Sequence, residues 1–375
     1  MTAFLENKLI KRKTSGNLRT LKVTQNLIDF ASNDYLGLSR SEKLAENVFQ
    51  EWSEYEKHST GMGSTGSRLL TGNTLYAQEL EDSIATFHGY EAGVLFNCGY
   101  MANVGLIAAI ANSHDAIFYD LNVHASTHDG IRISCAEGFP FRHNDLEHLE
   151  KRLKNSRVKG NRFICIESIY STDGTKAPLQ EICELSKKYD AHLIVDEAHA
   201  VGTCGPKGRG FVAAHNLTEC VFAQITTFGK ALGTQGAIVL GSNLLKQSLI
   251  NFARSYIYTT ALPFHALAVI KCSYALFPAF EKQRAHLQEL IQMFRQVQIN
   301  ASEAPIQSIG IKGNENAINL SKYLVETGFD VRALLSPTVK QGHERLRICL
   351  HSFNTKAEVS ALLKCLECQR RFNHA

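Results

Sequence analysis

The sequence predicts an α/β protein, with a large domain on a mixed, mostly parallel sheet and a smaller α+β domain towards the C-terminus. Three observations carry this. Short apolar or β-branched runs recur at AGVLF (92–96), AIFYD (116–120), RFICIE (162–167), HLIVD (192–196), FAQIT (222–226) and AIVLG (237–241). Stretches of helical periodicity such as NTLYAQELEDSIATF lie between them, which is the pattern of βα units. After one long helical stretch, roughly 264–299, the pattern changes to strand (IQSIGI), helix (ENAINLSKYLVETG), strand (RLRICLH) and a final helix.

In chain order, residues 1–30 read as a basic helix and a short strand pair, an N-terminal arm taken as 1–38. The large domain is expected over 39–270 and the smaller one over 271–375. Of the 375 residues, 44% are apolar and 20% charged, enough apolar surface to exclude a long disordered chain. Forty Lys and Arg against 36 Asp and Glu leave a net charge of +4. So small an excess predicts neither a nucleic-acid nor a membrane partner. MTAFLENKLIKRKTSGN has no apolar core of a secretory signal, so a cytoplasmic location and ten reduced cysteines are expected. Ala92 to Ala111 is the most apolar long stretch. Asn97, Asn103 and several glycines interrupt it, which favours a buried core segment over a membrane span. Cys365-x-x-Cys368 lacks the second pair of a zinc site and reads as two thiols on the terminal helix. No metal is expected.

The chemistry concentrates at strand ends, where open α/β sheets hold their ligands. LIVDEAHAVG (193–202) ends a buried strand at Asp196 and places His199 three residues later. DEAH also occurs in helicases, but no G-x-x-x-x-G-K-[ST] loop precedes it. An Asp capping the next helix is the structural alternative. TTFGKALG (226–233) sets Lys230 among small residues after a strand. A lysine in such a partly buried place can form a Schiff base. A lysine for an aldehyde and an aspartate for a pyridine nitrogen together suggest pyridoxal 5'-phosphate. FNCGYMAN (96–103) runs from a strand into a helix whose first N–H groups attract a phosphate. His124, in DLNVHAST, either stacks on a planar ring or caps the next helix. The glycine-dense loop GMGSTGSRLLTG (61–72) reads as ordered around Arg68.

These residues together resemble the α-oxoamine synthases, pyridoxal-phosphate enzymes of fold type I. The resemblance spans about Leu18 to Asn354. It rests on SNDYLGL, GSTGSRLLTGN, HND (143–145), ESIYSTDG, DEAHAVGTCGPKGRG, TFGKALG, IYTTALP (257–263) and RLRICL falling in order. It implies that Lys230 carries the cofactor, Asp196 pairs with its pyridine nitrogen, His199 meets the ring hydroxyl and His124 stacks on the ring. Gly99 and Tyr100 N–H groups, Ser171 and Thr227 then serve the cofactor or its phosphate. Thr259 and Thr260 reach the partner's phosphate in a homodimer with shared active sites. Arg19 and Thr338 fall at substrate positions, and Arg347 holds an amino-acid carboxylate. The implied reaction is a decarboxylative condensation of L-alanine with pimeloyl-CoA or pimeloyl-ACP in biotin biosynthesis. Relatives using glycine or serine are the rival within the family. A non-catalytic subunit is the rival outside it, and the presence of Lys230 speaks against that. One stretch departs from the family. LSPTVK (335–340) has Leu335 where an arginine is usual and Lys340 where a proline is usual.

Overall fold

The structure, a computed structural model, describes residues 2–56, 61, 63–298 and 300–372, the last five by backbone only. In chain order the strands among these residues are β1 (Ile28–Asp29), β2 (Ala92–Phe96), β3 (Ala116–Asp120), β4 (Glu137–Phe141), β5 (Arg162–Glu167), β6 (Ala191–Asp196), β7 (Val221–Thr227), β8 (Ala237–Gly241), β9 (Ile306–Gly310), β10 (Phe329–Asp330), β11 (Arg332–Leu334) and β12 (Arg345–Cys349). The chain forms two compact units, one of residues 34–171 and 176–284, the other of residues 1–33, 172–175 and 285–375.

The first unit is built on seven strands in the order β2-β8-β7-β6-β5-β3-β4. β8 runs antiparallel to both neighbours and the other pairings are parallel. The mixed, mostly parallel sheet expected from the sequence is therefore present. Strands buried on both faces need unbroken apolar runs, and every residue of β2 and β8 is buried. One core cluster joins Val94, Leu106, Ile117 and Val239; a second joins Phe118, Leu149, Ile164 and Val195. β4 was not foreseen. Its sequence, EGFPF, carries Gly and Pro and is half exposed, which an edge strand tolerates because it leaves N–H groups unpaired. The expected long helix is two helices, Phe264–Leu276 and Glu281–Val297. The tight turn Phe277–Ala279 between them holds Pro278, which has no N–H for helix continuation.

The second unit has a three-stranded antiparallel sheet, β11-β12-β9. Helices Asn314–Glu326 and Lys356–Phe372 match the sequence expectation. The basic helix Ala3–Thr14 buries none of its residues. The strand pair expected next is instead the single two-residue β1, paired in parallel with β10. That long-range pairing ties residues 1–33 to the C-terminal segment, whereas the sequence division at residues 38 and 270 treats the arm as separate.

Two cysteines depart from the expected free thiols. Cys183 and Cys220 are joined as a disulfide with Cα atoms 6.2 Å apart. They stand 37 positions apart in sequence, so only folding brings the helix Leu179–Lys188 beside the turn Thr218–Cys220. Cys365 is free on the terminal helix, and the side chain of Cys368 lies outside the described residues. Among the described residues no helix is long and apolar enough to cross a membrane, and no cluster of His, Cys, Asp and Glu could hold a metal.

Candidate active site

In the larger unit the carboxyl ends of β2, β3, β5, β6 and β7 lie along one edge of the sheet, because these strands run in the same direction. Asp196 ends β6 and is 7% exposed. Its Oδ1 accepts from the Ala198 N–H at 2.9 Å and its Oδ2 from Asn103 Nδ2 at 2.9 Å. Asn103 lies one turn inside the helix Gly99–Ile110. The sequence reading counted it only as a break in an apolar run; its position four residues after Gly99, in the quoted FNCGYMAN, was the available signal. His199 Nδ1 meets the Tyr35 hydroxyl at 2.7 Å, and both side chains are buried.

Lys230 follows β7, and its Nζ donates to Thr227 Oγ1 at 3.1 Å. The small residues around it have steric causes. At Gly233, with φ of 67°, an added Cβ would lie 2.3 Å from the Ser39 nitrogen. At Gly99 a Cβ would lie 2.5 Å from Thr227 Cγ2. The helix Gly99–Ile110 has no side-chain N-cap at Cys98, so the N–H groups of its first turn remain available to an anion. Tyr100 is half exposed and its hydroxyl donates to Asp129 Oδ2.

His124 does what the structural alternative proposed. It caps the helix Ala125–Ser134, with Nδ1 accepting from the Ser126 N–H at 3.3 Å and meeting Ser126 Oγ at 2.7 Å. Capping uses the Nδ1 lone pair in the plane of the ring, so it does not compete with stacking on a ring face. Burial lowers the His124 pKa, while Asp196 pulls it upward and Lys230 presses it down. The imidazole is therefore within electrostatic reach of both principal candidates. The N–H of Ser171 donates to Glu167 Oε2 at 3.0 Å. Thr260 accepts from Asn97 Nδ2 at 2.9 Å through its carbonyl, beside the turn that starts the Gly99 helix. In the HND segment, His143 and Asn144 bind Asp120 at the end of β3, and Asp145 caps the following helix. Arg68 forms a buried 2.8 Å ion pair with Glu81, and Met62 of its loop lies outside the described residues.

Arg19, Thr338 and Arg347 belong to the smaller unit. Arg19 Nη2 donates to Thr338 Oγ1 at 3.2 Å. These two residues and Leu335 line a cavity of about 550 Å³. Arg347 lies on β12, the central strand of its sheet, and not at an edge. Its Nη2 donates to Asn33 Oδ1 at 2.9 Å and its Nη1 to Cys349 Sγ at 2.9 Å. Arg345 on the same face pairs instead with Asp173 at 3.0 Å.

The strand-end residues fit pyridoxal phosphate. The uncapped helix start meets the demand of a phosphate, the bare Cα of Gly99 leaves room beside Thr227, and the buried Asp196 carboxylate suits a pyridinium nitrogen. Such a lysine and aspartate on such a sheet define a fold-type-I pyridoxal-phosphate-dependent transferase. The chain belongs to the aminotransferase class I and II family, whose model matches residues 25–366. It is similar to an 8-amino-7-oxononanoate synthase of Saccharophagus degradans, 38% identical over 96% of this chain and 95% of that protein. Among solved structures it is similar to the 8-amino-7-oxononanoate synthase of Francisella tularensis, with a TM-score of 0.80 and 30% identity over 93% of this chain and 99% of the other. A serine palmitoyltransferase of S. paucimobilis with a PLP–myriocin aldimine bound superimposes with a TM-score of 0.88 and 25% identity, over 99% of this chain and 97% of the other.

Proposed function

We propose that this chain condenses L-alanine with a pimeloyl thioester, of coenzyme A or an acyl carrier protein, releasing carbon dioxide and the free thiol to give 8-amino-7-oxononanoate for biotin synthesis. The observation that carries the reading is the strand-end group of Lys230, His124 and Asp196 in a chain this similar to two synthases of that name.

Bound pyridoxal phosphate supplies an electron sink for the Cα of the amino acid. The N–H groups at Gly99 and Tyr100 hold its phosphate, with hydroxyl groups of Ser171 and Thr227 as further donors. Asp196, fixed by Asn103 and the Ala198 N–H, keeps the pyridine nitrogen protonated. His199, itself set by Tyr35, donates to the ring hydroxyl. His124 covers one ring face. Lys230 would hold the cofactor at rest and, when its amine is free, would take the Cα proton of the amino acid as general base. It returns a proton to that carbon after carbon dioxide has left. Arg347 offers its planar fork to the alanine carboxylate. Arg19 and Thr338 bind the acyl donor, and Leu335 makes that cavity less cationic than the arginine usual in the family.

The active unit is a homodimer in which Thr259 or Thr260 reaches the partner's phosphate. Sedimentation at assay concentrations tests this, and a fully active monomer would contradict it. The reaction itself is tested by offering alanine, glycine and serine with acyl thioesters of several lengths and following thiol release. Alanine with the pimeloyl donor should turn over fastest. A preference for glycine or serine, or for a long-chain acyl group, would replace this reading with that of another condensing enzyme.

A further inference from the structure

The positive excess of this chain is confined to its beginning. Six of the 40 Lys and Arg and one of the 36 Asp and Glu fall within the first 23 residues, so that segment carries +5 and the rest of the chain −1. Among the described residues none of the six cations is in an ion pair. The helix Ala3–Thr14 carries four of them, Lys8, Lys11, Arg12 and Lys13, and buries none of its residues. It also leaves Phe4, Leu5, Leu9 and Ile10 between 48% and 61% exposed. Phe4, Lys8 and Arg12 follow one another at four-residue spacing, which sets them on one face of the helix. Arg12, at the end of that row, lines the cavity of about 550 Å³ together with Arg19, Lys22 and Arg332. Asp330 neutralises Arg332 at 2.8 Å, and among the described residues no Asp or Glu lines the cavity.

We propose that the helix Ala3–Thr14 is the docking surface for an acidic acyl carrier protein, which lays its carboxylates against Lys8, Lys11 and Lys13 and passes its acyl-bearing arm along Arg12 into the cavity. This rests on the acyl-donor role given above to Arg19 and Thr338. A carrier protein holds its acyl group on a pantetheine arm joined through a phosphate, so one partner supplies both an anion for the cavity and a complementary surface for the helix. Coenzyme A alone would satisfy the cavity and leave Lys8, Lys11, Lys13 and the apolar side chains uncovered along a helix of about 18 Å. A membrane surface suits a helix whose apolar and basic side chains are sorted onto opposite faces. Here Phe4 shares its face with Lys8 and Arg12, and Leu5 and Leu9 follow directly beside them. A second copy of the chain would set like charges together at the helix and offers no acidic excess elsewhere beyond −1.

The first measurement involves no turnover. The cofactor-loaded protein is titrated with a bacterial acyl carrier protein that bears its pantetheine arm and no acyl group. The parent should bind, and more weakly as salt rises from about 50 to about 300 mM. Combining Lys8→Glu, Lys11→Glu and Lys13→Glu changes no buried side chain and should weaken binding at least about tenfold. The same three lysines changed to Gln should fall between. A parent that does not bind, or a charge-reversed variant within about twofold of it, overturns the proposal. A parent held instead by vesicles of phosphatidylglycerol and phosphatidylcholine would assign the helix to a membrane. A charge-reversed variant that sediments as a monomer where the parent is a dimer would assign it to a contact between copies, and this also overturns the proposal.

The second measurement offers alanine with the pimeloyl thioester of the same carrier protein and with that of coenzyme A. The charge-reversed variant should raise the KM for the carrier thioester at least about tenfold, and leave kcat, the KM for alanine and the KM for the coenzyme A thioester within about twofold. An equal rise for both thioesters would mean that the three lysines serve the arm and not a protein surface, and overturns the proposal. If the parent turns over neither thioester, the condensation reading falls, while the binding measurement decides the docking surface by itself.

Discussion

Asn103 Nδ2 donates to Asp196 Oδ2 at 2.9 Å, and both side chains are buried. The bond joins the helix Gly99–Ile110, whose N-terminus is proposed to take the phosphate, with β6, whose Asp196 is proposed to meet the ring nitrogen. Asp196→Asn should keep the fold and lose roughly a thousandfold in turnover, about 4 kcal/mol of barrier, since a neutral amide cannot hold the nitrogen's proton. Asn103→Ala should cost about tenfold, the order of one hydrogen bond to a charged group. Steady-state kinetics on both variants check this, and an Asp196→Asn enzyme within tenfold of the parent rejects the role.

Lys230 is the expected attachment point of the cofactor. Borohydride treatment of the loaded protein followed by peptide mapping should place the label on the peptide containing TFGKALG. Lys230→Ala should bind pyridoxal phosphate without a covalent link and show no turnover. Label on any other lysine transfers the role to that residue.

Arg347 should be specific for the amino acid. Lysine is a point charge without the two-pronged geometry of arginine. It would also lose the paired contacts to Asn33 and Cys349 that orient the fork. Arg347→Lys is therefore expected to raise the KM for alanine at least about tenfold, ~1.4 kcal/mol, with little change in the thioester KM. The opposite pattern would exchange the two pockets.

Glu167 makes stability depend on pH in a defined direction. Its ordinary pKa of 4.5 is raised to about 8 in the folded chain, by burial first and by Asp196 second. The folded state thus keeps a proton that the unfolded state releases. The contribution is complete below the unfolded value and is lost as pH rises through the folded one. Glu167→Gln removes this titration. The Tm of the Gln apoprotein relative to the parent should therefore improve steadily between about pH 5 and about pH 9. A constant difference would show that Glu167 does not titrate in that window.

Much of the frame was legible because it depends on local pattern. The six strands read as short apolar runs are all present, since a strand covered on both faces must be apolar throughout. The strand ends were equally legible, as Asp196, Lys230 and Gly99 stand beside the turns that present them. What escaped reading depends on contacts distant in sequence. β1 exists only through β10, the Cys183–Cys220 disulfide only through a helix meeting a turn, and the part of Asn103 only through β6. β4 escaped for another reason: an exposed edge strand need not look like a strand. Pro278 was visible in the sequence, but the periodicity running through it read as one helix.

The parallel pairing of β1 with β10 also orders events during synthesis. Ile28 and Phe329 are about 300 positions apart. At the ~5–20 residues per second of translation, β1 leaves the ribosome about 15–60 s before its partner exists. All seven strands of the larger sheet have by then emerged, since the last of them ends at Gly241. The nascent chain can therefore complete its cofactor-binding sheet while its first thirty residues are still waiting. A chain truncated before Phe329 would leave that leading segment without its strand partner.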